Sequence, residues 1–186
     1  MLSRWNSLAV LIVAMFIISV PLPSQAAMDT AKEIDASVDA TLDRFKKEIP
    51  GADSFLGKAA GALVFPSVIK AGIGIGGEYG EGALRVGGKT IEYYSTAAAS
   101  IGFQFGAQAK SIILIFTKKE AMERFRKSDG WEAGVDGSVA LISLGMGDSL
   151  DTTNVKDPII AFIFGQKGLM YNLTLEGSKF SRITPE

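Results

Sequence analysis

Between positions 72 and 82 the chain reads Gly72-Ile73-Gly74-Ile75-Gly76-Gly77-Glu78-Tyr79-Gly80-Glu81-Gly82, a glycine string carrying two isoleucines and two carboxylates. Its first six residues match the dinucleotide fingerprint G-x-G-x-x-G, which works only where a strand ends in a glycine turn and a helix N-terminus then meets the pyrophosphate. The segment after Gly77 is a poor helix start and sets Glu78 and Glu81 where phosphates would lie, so the string is taken as a strand. On a strand, Ile73 and Ile75 share one face and Gly72, Gly74 and Gly76 the other. Glycine weakens a strand interior, and its repetition points to sharp curvature or to close approach of another backbone. Downstream, Ala99, Ile101, Phe103, Phe105 and Ala107 alternate in the same manner with Gly102, Gln104, Gly106 and Gln108.

Working outward, the pattern predicts an α+β fold: a strongly curved, Gly-rich antiparallel β-sheet or barrel-like β core, with an N-terminal amphipathic helix and one helix inserted between strands. Further strands are expected over residues 84–86, 90–94, 111–116, 138–144, 159–164, 169–175 and 179–183, with Gly87-Gly88 as a hairpin turn. The N-terminal helix is predicted over residues 29–49, where Ile34, Val38, Leu42, Phe45 and Ile49 recur at spacings of three and four. Thr30 and Glu33 stand in capping-box register, and Pro50-Gly51 ends the helix. A short helical turn comes after Asp53. The inserted helix is expected over residues 118–127, with Thr117 and Glu120 in capping-box register.

The first 26 residues have the form of a signal peptide, with Arg4, an apolar run over residues 8–20, then Pro21, Pro23 and Ser24-Gln25-Ala26. Cleavage after Ala26 leaves residues 27–186 as one domain. The expectation is a periplasmic or exported protein, peripherally membrane-associated after cleavage. With no cysteine, neither a lipid-carrying thiol nor a disulfide is available. The 19 basic and 20 acidic residues almost cancel, so no global field draws the chain to nucleic acid.

The chain also has no histidine, which together with the missing thiols removes the Ser-His-Asp triad, thiolate catalysis, and imidazole or thiolate metal sites. Carboxylate chemistry remains. Glu78 and Glu81 are an odd number of residues apart and face opposite sides of a regular strand, which disfavours a hydrolase pair. Asp148, Asp151, Asn154 and Asp157 do not match the EF-hand spacing and describe a solvated loop. No enzyme activity, cofactor or metal is expected.

Two features are open to a binding role. The stripe of the first helix serves equally for docking on its own sheet or for lying on a membrane surface. Around the second helix, Lys110, Lys118, Lys119, Arg124, Arg126 and Lys127 form a basic cluster, of the kind that is usually a solvated face but can meet lipid head groups.

The glycine string, with Ser100-Ile101-Gly102-Phe103-Gln104-Phe105-Gly106-Ala107-Gln108, Gly130-Trp131-Glu132-Ala133-Gly134-Val135-Asp136-Gly137, Phe164-Gly165-Gln166-Lys167-Gly168 and Asn172-Leu173-Thr174-Leu175-Glu176-Gly177, resembles the SYLF domain family, in order and over nearly all of residues 27–186. The resemblance implies a lipid-binding module with no catalytic residue. In eukaryotic members, which regulate actin at membranes, phosphoinositide contact is attributed to an amphipathic segment at the start of the domain. That segment corresponds here to the helix carrying Leu42, Arg44, Phe45, Lys46 and Lys47; actin is not carried over to an exported chain. The resulting expectation is non-enzymatic phospholipid binding at the cell-envelope membrane, through Leu42, Arg44, Phe45, Lys46, Lys47 and Lys58. The alternative is an envelope scaffold that binds a protein partner through exposed Tyr79, Tyr93, Tyr94 or Trp131.

Overall fold

The structure, a computed structural model, describes residues 29–143, 157–168, 175 and 177–186, with backbone alone at residues 101–105 and 143. The signal segment, Asp148, Asp151, Asn154 and most of the strand expected over 169–175 lie outside the described residues.

Helix α1 spans Ala31–Glu48 and α2 spans Ala52–Lys58. The capping box forms as expected: the Glu33 amide donates to Thr30 Oγ1 and the Thr30 amide donates to Glu33 Oε2. The next two elements correct the expected strand list. Strand β1 runs unbroken over Gly61–Val86 and β2 over Lys89–Phe116, joined by Gly87 and Gly88 at φ 57° and 79°. What periodicity splits into several short strands is one very long antiparallel hairpin. Its ladder survives because the interruptions are register shifts, at Phe65/Val68, Ile73/Ile75 and Leu84/Arg85, and not turns.

The hairpin is bent double. Gly74, at φ 72°, lies at the shift between Ile73 and Ile75 and reverses β1 there. The two legs, residues 61–73 and 75–86, then pack backbone on backbone. A Cβ on Gly82 would lie 2.0 Å from the Val64 carbonyl oxygen, and one on Gly80 2.7 Å from that of Ser67. Here the glycine string is required by close approach, as its repetition implies.

Helix α3 (Lys119–Lys127), short β3 (Trp131–Glu132), β4 (Ala140–Ser143), β5 (Ile159–Gly168) and β6 (Lys179–Ile183) complete the described elements. They form a six-stranded sheet in the order β3-β6-β2-β5-β4, with β1 on β2. The sheet is mixed, not wholly antiparallel, since β4 pairs β5 in parallel. The connection from Ser143 to Ile159 has the length such a crossover needs, roughly a dozen residues. Thr117 does not cap α3. Lys118 is the N-cap, and the Thr117 hydroxyl donates to the Asp157 carbonyl at 2.8 Å, tying the start of β5 to the end of β2.

The runs 112–116 and 159–164 are buried on both faces, which explains their continuous apolar character. Ile112, Leu114 and Phe116 meet α3, Trp131 and Phe180 on one side, while Ile113, Ile115, Ile160 and Phe162 meet α1 and α2 on the other.

Candidate functional site

The bent part of the hairpin, residues 69–79 of β1 with 96–110 of β2, has two unlike surfaces. Inside, between the legs, lie Lys70, Glu78, Thr96, Gln108 and Lys110, each no more than 7% exposed. Lys70 pairs with Gln108 across the ladder, Val68 with Lys110, Glu78 with Ala98, and Gly80 with Thr96, so the polar groups come from both legs. Lys110 Nζ stands 2.9 Å from Glu78 Oε2, an ion pair linking the legs. Glu78 Oε1, Thr96 Oγ1 and both amide atoms of Gln108 are buried without a hydrogen-bond partner.

Outside, the same strands are apolar. Ile73 is 77% exposed, Ile75 71%, Ile69 57% and Tyr79 49%. Ala71, Gly77, Ala97, Ala99 and Ala107 are exposed between them. The sequence carries no charged residue from 93 to 109. Exposed apolar faces of this continuity mark interaction surfaces. A cavity of about 390 Å³ adjoins the face, lined by Ile34, Pro66, Ile69, Tyr79 and Glu81 among others. At its rim the Tyr79 hydroxyl donates to Glu81 Oε1 at 2.6 Å, and burial with that carboxylate pushes the phenol up to about 12.

The sequence-predicted site residues lie elsewhere, and the structure redistributes them. Phe45 is fully buried, with its ring 4.9 Å from Phe162 and 5.5 Å from Phe164. Leu42 is half-buried against the same cluster. The stripe of α1 therefore docks on the sheet, and Phe45 is a core residue instead of a lipid contact. Arg44 is half-buried, its guanidinium 5.2 Å from the Phe164 ring centroid and paired with Glu48. Lys46, Lys47 and Lys58 are exposed at the ends of α1 and α2 and remain open to an anionic surface. Asp35 fastens α1 further, accepting from Thr90, Tyr93 and Arg85 near the hairpin turn.

The aromatic surface of the scaffold alternative is mostly absent. Trp131 is buried, Tyr94 is buried with its hydroxyl on Glu92, and Tyr93 is half-buried on Asp35, leaving Tyr79 exposed. The basic cluster also divides. Lys110 is interior and Arg126 bonds Glu92 at 2.9 Å, whereas Lys118, Lys119, Arg124 and Lys127 are solvated. Burial raises Glu92, but hydrogen bonds from Arg126 and Tyr94 and the charges of Arg126 and Arg182 outweigh it, and hold the carboxyl below its ordinary value. Glu78 and Glu81 face opposite sides, as their spacing requires. No helix opens after Gly77, where β1 continues to Val86.

Residues 97–184 match the family model Ysc84, described as Las17-binding protein actin regulator, in agreement with the SYLF resemblance. No curated protein matches the chain.

Proposed function

From the premise that the chain carries a Ysc84 (SYLF) domain over residues 97–184, we propose that it binds phospholipid at a membrane surface of the cell envelope, as a binding protein with no catalytic step. The observation that carries this reading is the inverted patterning of the bent hairpin. Isoleucines and a tyrosine point out while lysines, a glutamate and a glutamine point in. A strand pair made for water on its outer face carries the opposite arrangement; apolar-out and polar-in is the pattern of strands that face lipid. Among the described residues no helix is long and apolar enough to cross a membrane. Exposed Lys46, Lys47 and Lys58 can add attraction to anionic head groups.

Vesicle flotation of the purified chain tests the reading. Fully burying an isoleucine is worth about 1.5–3 kcal/mol, so Ile73→Asp with Ile75→Asp should reduce vesicle affinity by at least tenfold. Because both side chains are solvent-exposed, the unfolding midpoint should hardly move. A wild-type chain that stays out of the vesicle fraction, or a double variant that floats equally well, refutes the assignment. Self-association lost in the double variant would instead assign the face to a second copy.

A further inference from the structure

We propose that the loop between β3 and β4, with the cleft beside it, binds a single-chain anionic amphiphile, its hydrocarbon chain in the cleft and its carboxylate or phosphate head on Arg124. The site shares no residue with the bent hairpin, so the inference goes beyond the membrane reading and does not depend on it.

The loop is held by its own bonds. The Glu132 amide donates to Asp136 Oδ2 at 2.7 Å, the Asp136 amide to the Glu132 carbonyl at 2.9 Å, and the Gly134 amide to the Gly137 carbonyl at 3.1 Å. Turns ordinarily carry Gly, Pro, Asn, Asp or Ser at their exposed positions. This one presents Val135, which is 72% exposed, and Leu141 in β4 is 39% exposed. Both line one cavity of about 380 Å³, together with Ala133, Ser138, Val139 and Leu175. Ala133 and Leu175 are buried members of the core cluster. The cavity therefore has an apolar mouth and an apolar floor, and no charged residue lines it.

Its volume stands at the small end of ligand pockets, which span about 300–1,000 Å³. That suits one hydrocarbon chain and not a pair. A peptide would bring amides to a lining whose side chains offer a single hydroxyl, and amides buried without partners are costly. A hydrocarbon chain needs no partner.

Gly137 and Ser138 also line a second cavity, of about 230 Å³, so the two adjoin along this stretch of the loop. Its charged residues are Arg124 of α3 and Asp136. The Asp136 carboxylate is engaged by the Glu132 amide, whereas Arg124 is exposed and makes no ion pair among the described residues. A guanidinium presents a planar fork of donors that matches carboxylate and phosphate oxygens. Ser138, common to both cavities, adds a hydroxyl donor where they meet. An apolar cleft that leads to an unpaired cation fits a molecule with a hydrocarbon chain at one end and an anion at the other.

The test is isothermal titration calorimetry of the purified chain with six-, eight- and ten-carbon fatty carboxylates and alkyl phosphates, each below its micelle concentration. Every CH₂ that enters the cleft should tighten binding about fourfold. Comparison of the two series identifies the head group. Decyltrimethylammonium, with the same chain and the opposite charge, should bind about fivefold more weakly than the better anion, and Arg124→Gln should remove that preference. Val135→Asp and Leu141→Asp should each weaken the ten-carbon anion by roughly tenfold or more. If Leu141→Asp does not fold, Val135→Asp decides alone, since its side chain is exposed on a turn. No binding in either series, affinity that ignores chain length, equal binding of the cationic amphiphile, or full affinity in Val135→Asp overturns the site. Ile73→Asp with Ile75→Asp should leave this binding intact, and its loss there would move the chain to the hairpin face and overturn the cleft. A wild type that floats with vesicles but ignores these amphiphiles refutes the cleft alone. One that binds them without floating refutes the membrane reading alone.

Discussion

Replacing Gly82 by alanine adds one methyl group at the point where the legs of the hairpin touch. The new Cβ would stand 2.0 Å from the Val64 carbonyl oxygen, 2.8 Å from its carbon and 2.9 Å from Phe65 Cδ1. Real Cβ contacts essentially never fall under 3.0 Å, so the oxygen must retreat by the difference. It belongs to backbone, not to the end of a flexible side chain, and that backbone carries fully buried Leu63, Val64 and Phe65. Overpacking of a filled site costs typically 1–3 kcal/mol, and an unyielding neighbour places this variant near the top, at about 3 kcal/mol. At about 2–4 °C per kcal/mol for a domain of this size, the midpoint should fall by roughly 6–12 °C. Gly77→Ala is the internal control, since nothing lies within 4 Å of its Cβ and its effect should stay within about 0.5 kcal/mol. Urea unfolding monitored by circular dichroism separates the two. Equal midpoints for both variants would mean that the legs do not meet at Gly82.

Phe45→Ala should cost about 3–5 kcal/mol in the same assay, as expected of a ring inside an aromatic cluster, while Lys46→Ala should cost less than about 0.5 kcal/mol. Lys46→Ala with Lys47→Ala should instead weaken binding to anionic vesicles by about 1 kcal/mol per lysine and flatten its salt dependence, as read by flotation at two ionic strengths. The Glu92 carboxyl sits below its ordinary 4.5 in the folded chain, so the stability it adds is present above that value and lost as pH falls through the lower, folded one. Unfolding measured against pH should therefore decline more steeply below 4.5 for the wild type than for Glu92→Gln. Tyr79 and Tyr94 are both raised to about 12, from an ordinary 10.0. Their contribution is complete below the ordinary value and disappears as pH rises through 12, and ultraviolet titration of Tyr79→Phe should lose amplitude in that high step.

The elements whose local chemistry is self-sufficient are legible in the sequence. Thr30 and Glu33 announce the start of α1, and the spacing of Ile34, Val38 and Phe45 identifies its buried face. The partner of that face is not legible, because an apolar stripe carries no label for protein or lipid; Phe162 and Phe164, more than a hundred positions away, decide it. The glycines signal curvature correctly, but not that a single pair of strands spans residues 61–116, since a bulged ladder and a turn look alike in composition. Lys110 groups with the solvated cluster in sequence, and leaves it in the fold, for a related reason. Its ion partner Glu78 is brought to it only by the doubling back of β1. One local signal is available: Lys70 stands between Ile69 and Ala71, in phase with Glu78, so the apolar and polar sets already alternate along β1.

That alternation also bears on whether the inverted patterning is incidental. A strand slipped by one residue exchanges its two faces, and such a slip here would bury Ile75 and Tyr79 and return Glu78 to solvent. Gly80 and Gly82 forbid it. Each occupies an inward position where the opposing backbone leaves no room for a side chain, and the residues one place away, Tyr79 and Glu81, could not fit there. Inward Gly80 and Gly82 fix Glu78 and Gly76 inward by the period of two, and so fix Ile75, Gly77 and Tyr79 outward. The contacts that bend the hairpin are thus the same contacts that set which face meets the surroundings. An apolar exterior obtained at the cost of a buried ion pair and an orphaned amide is then a specified property of the sequence.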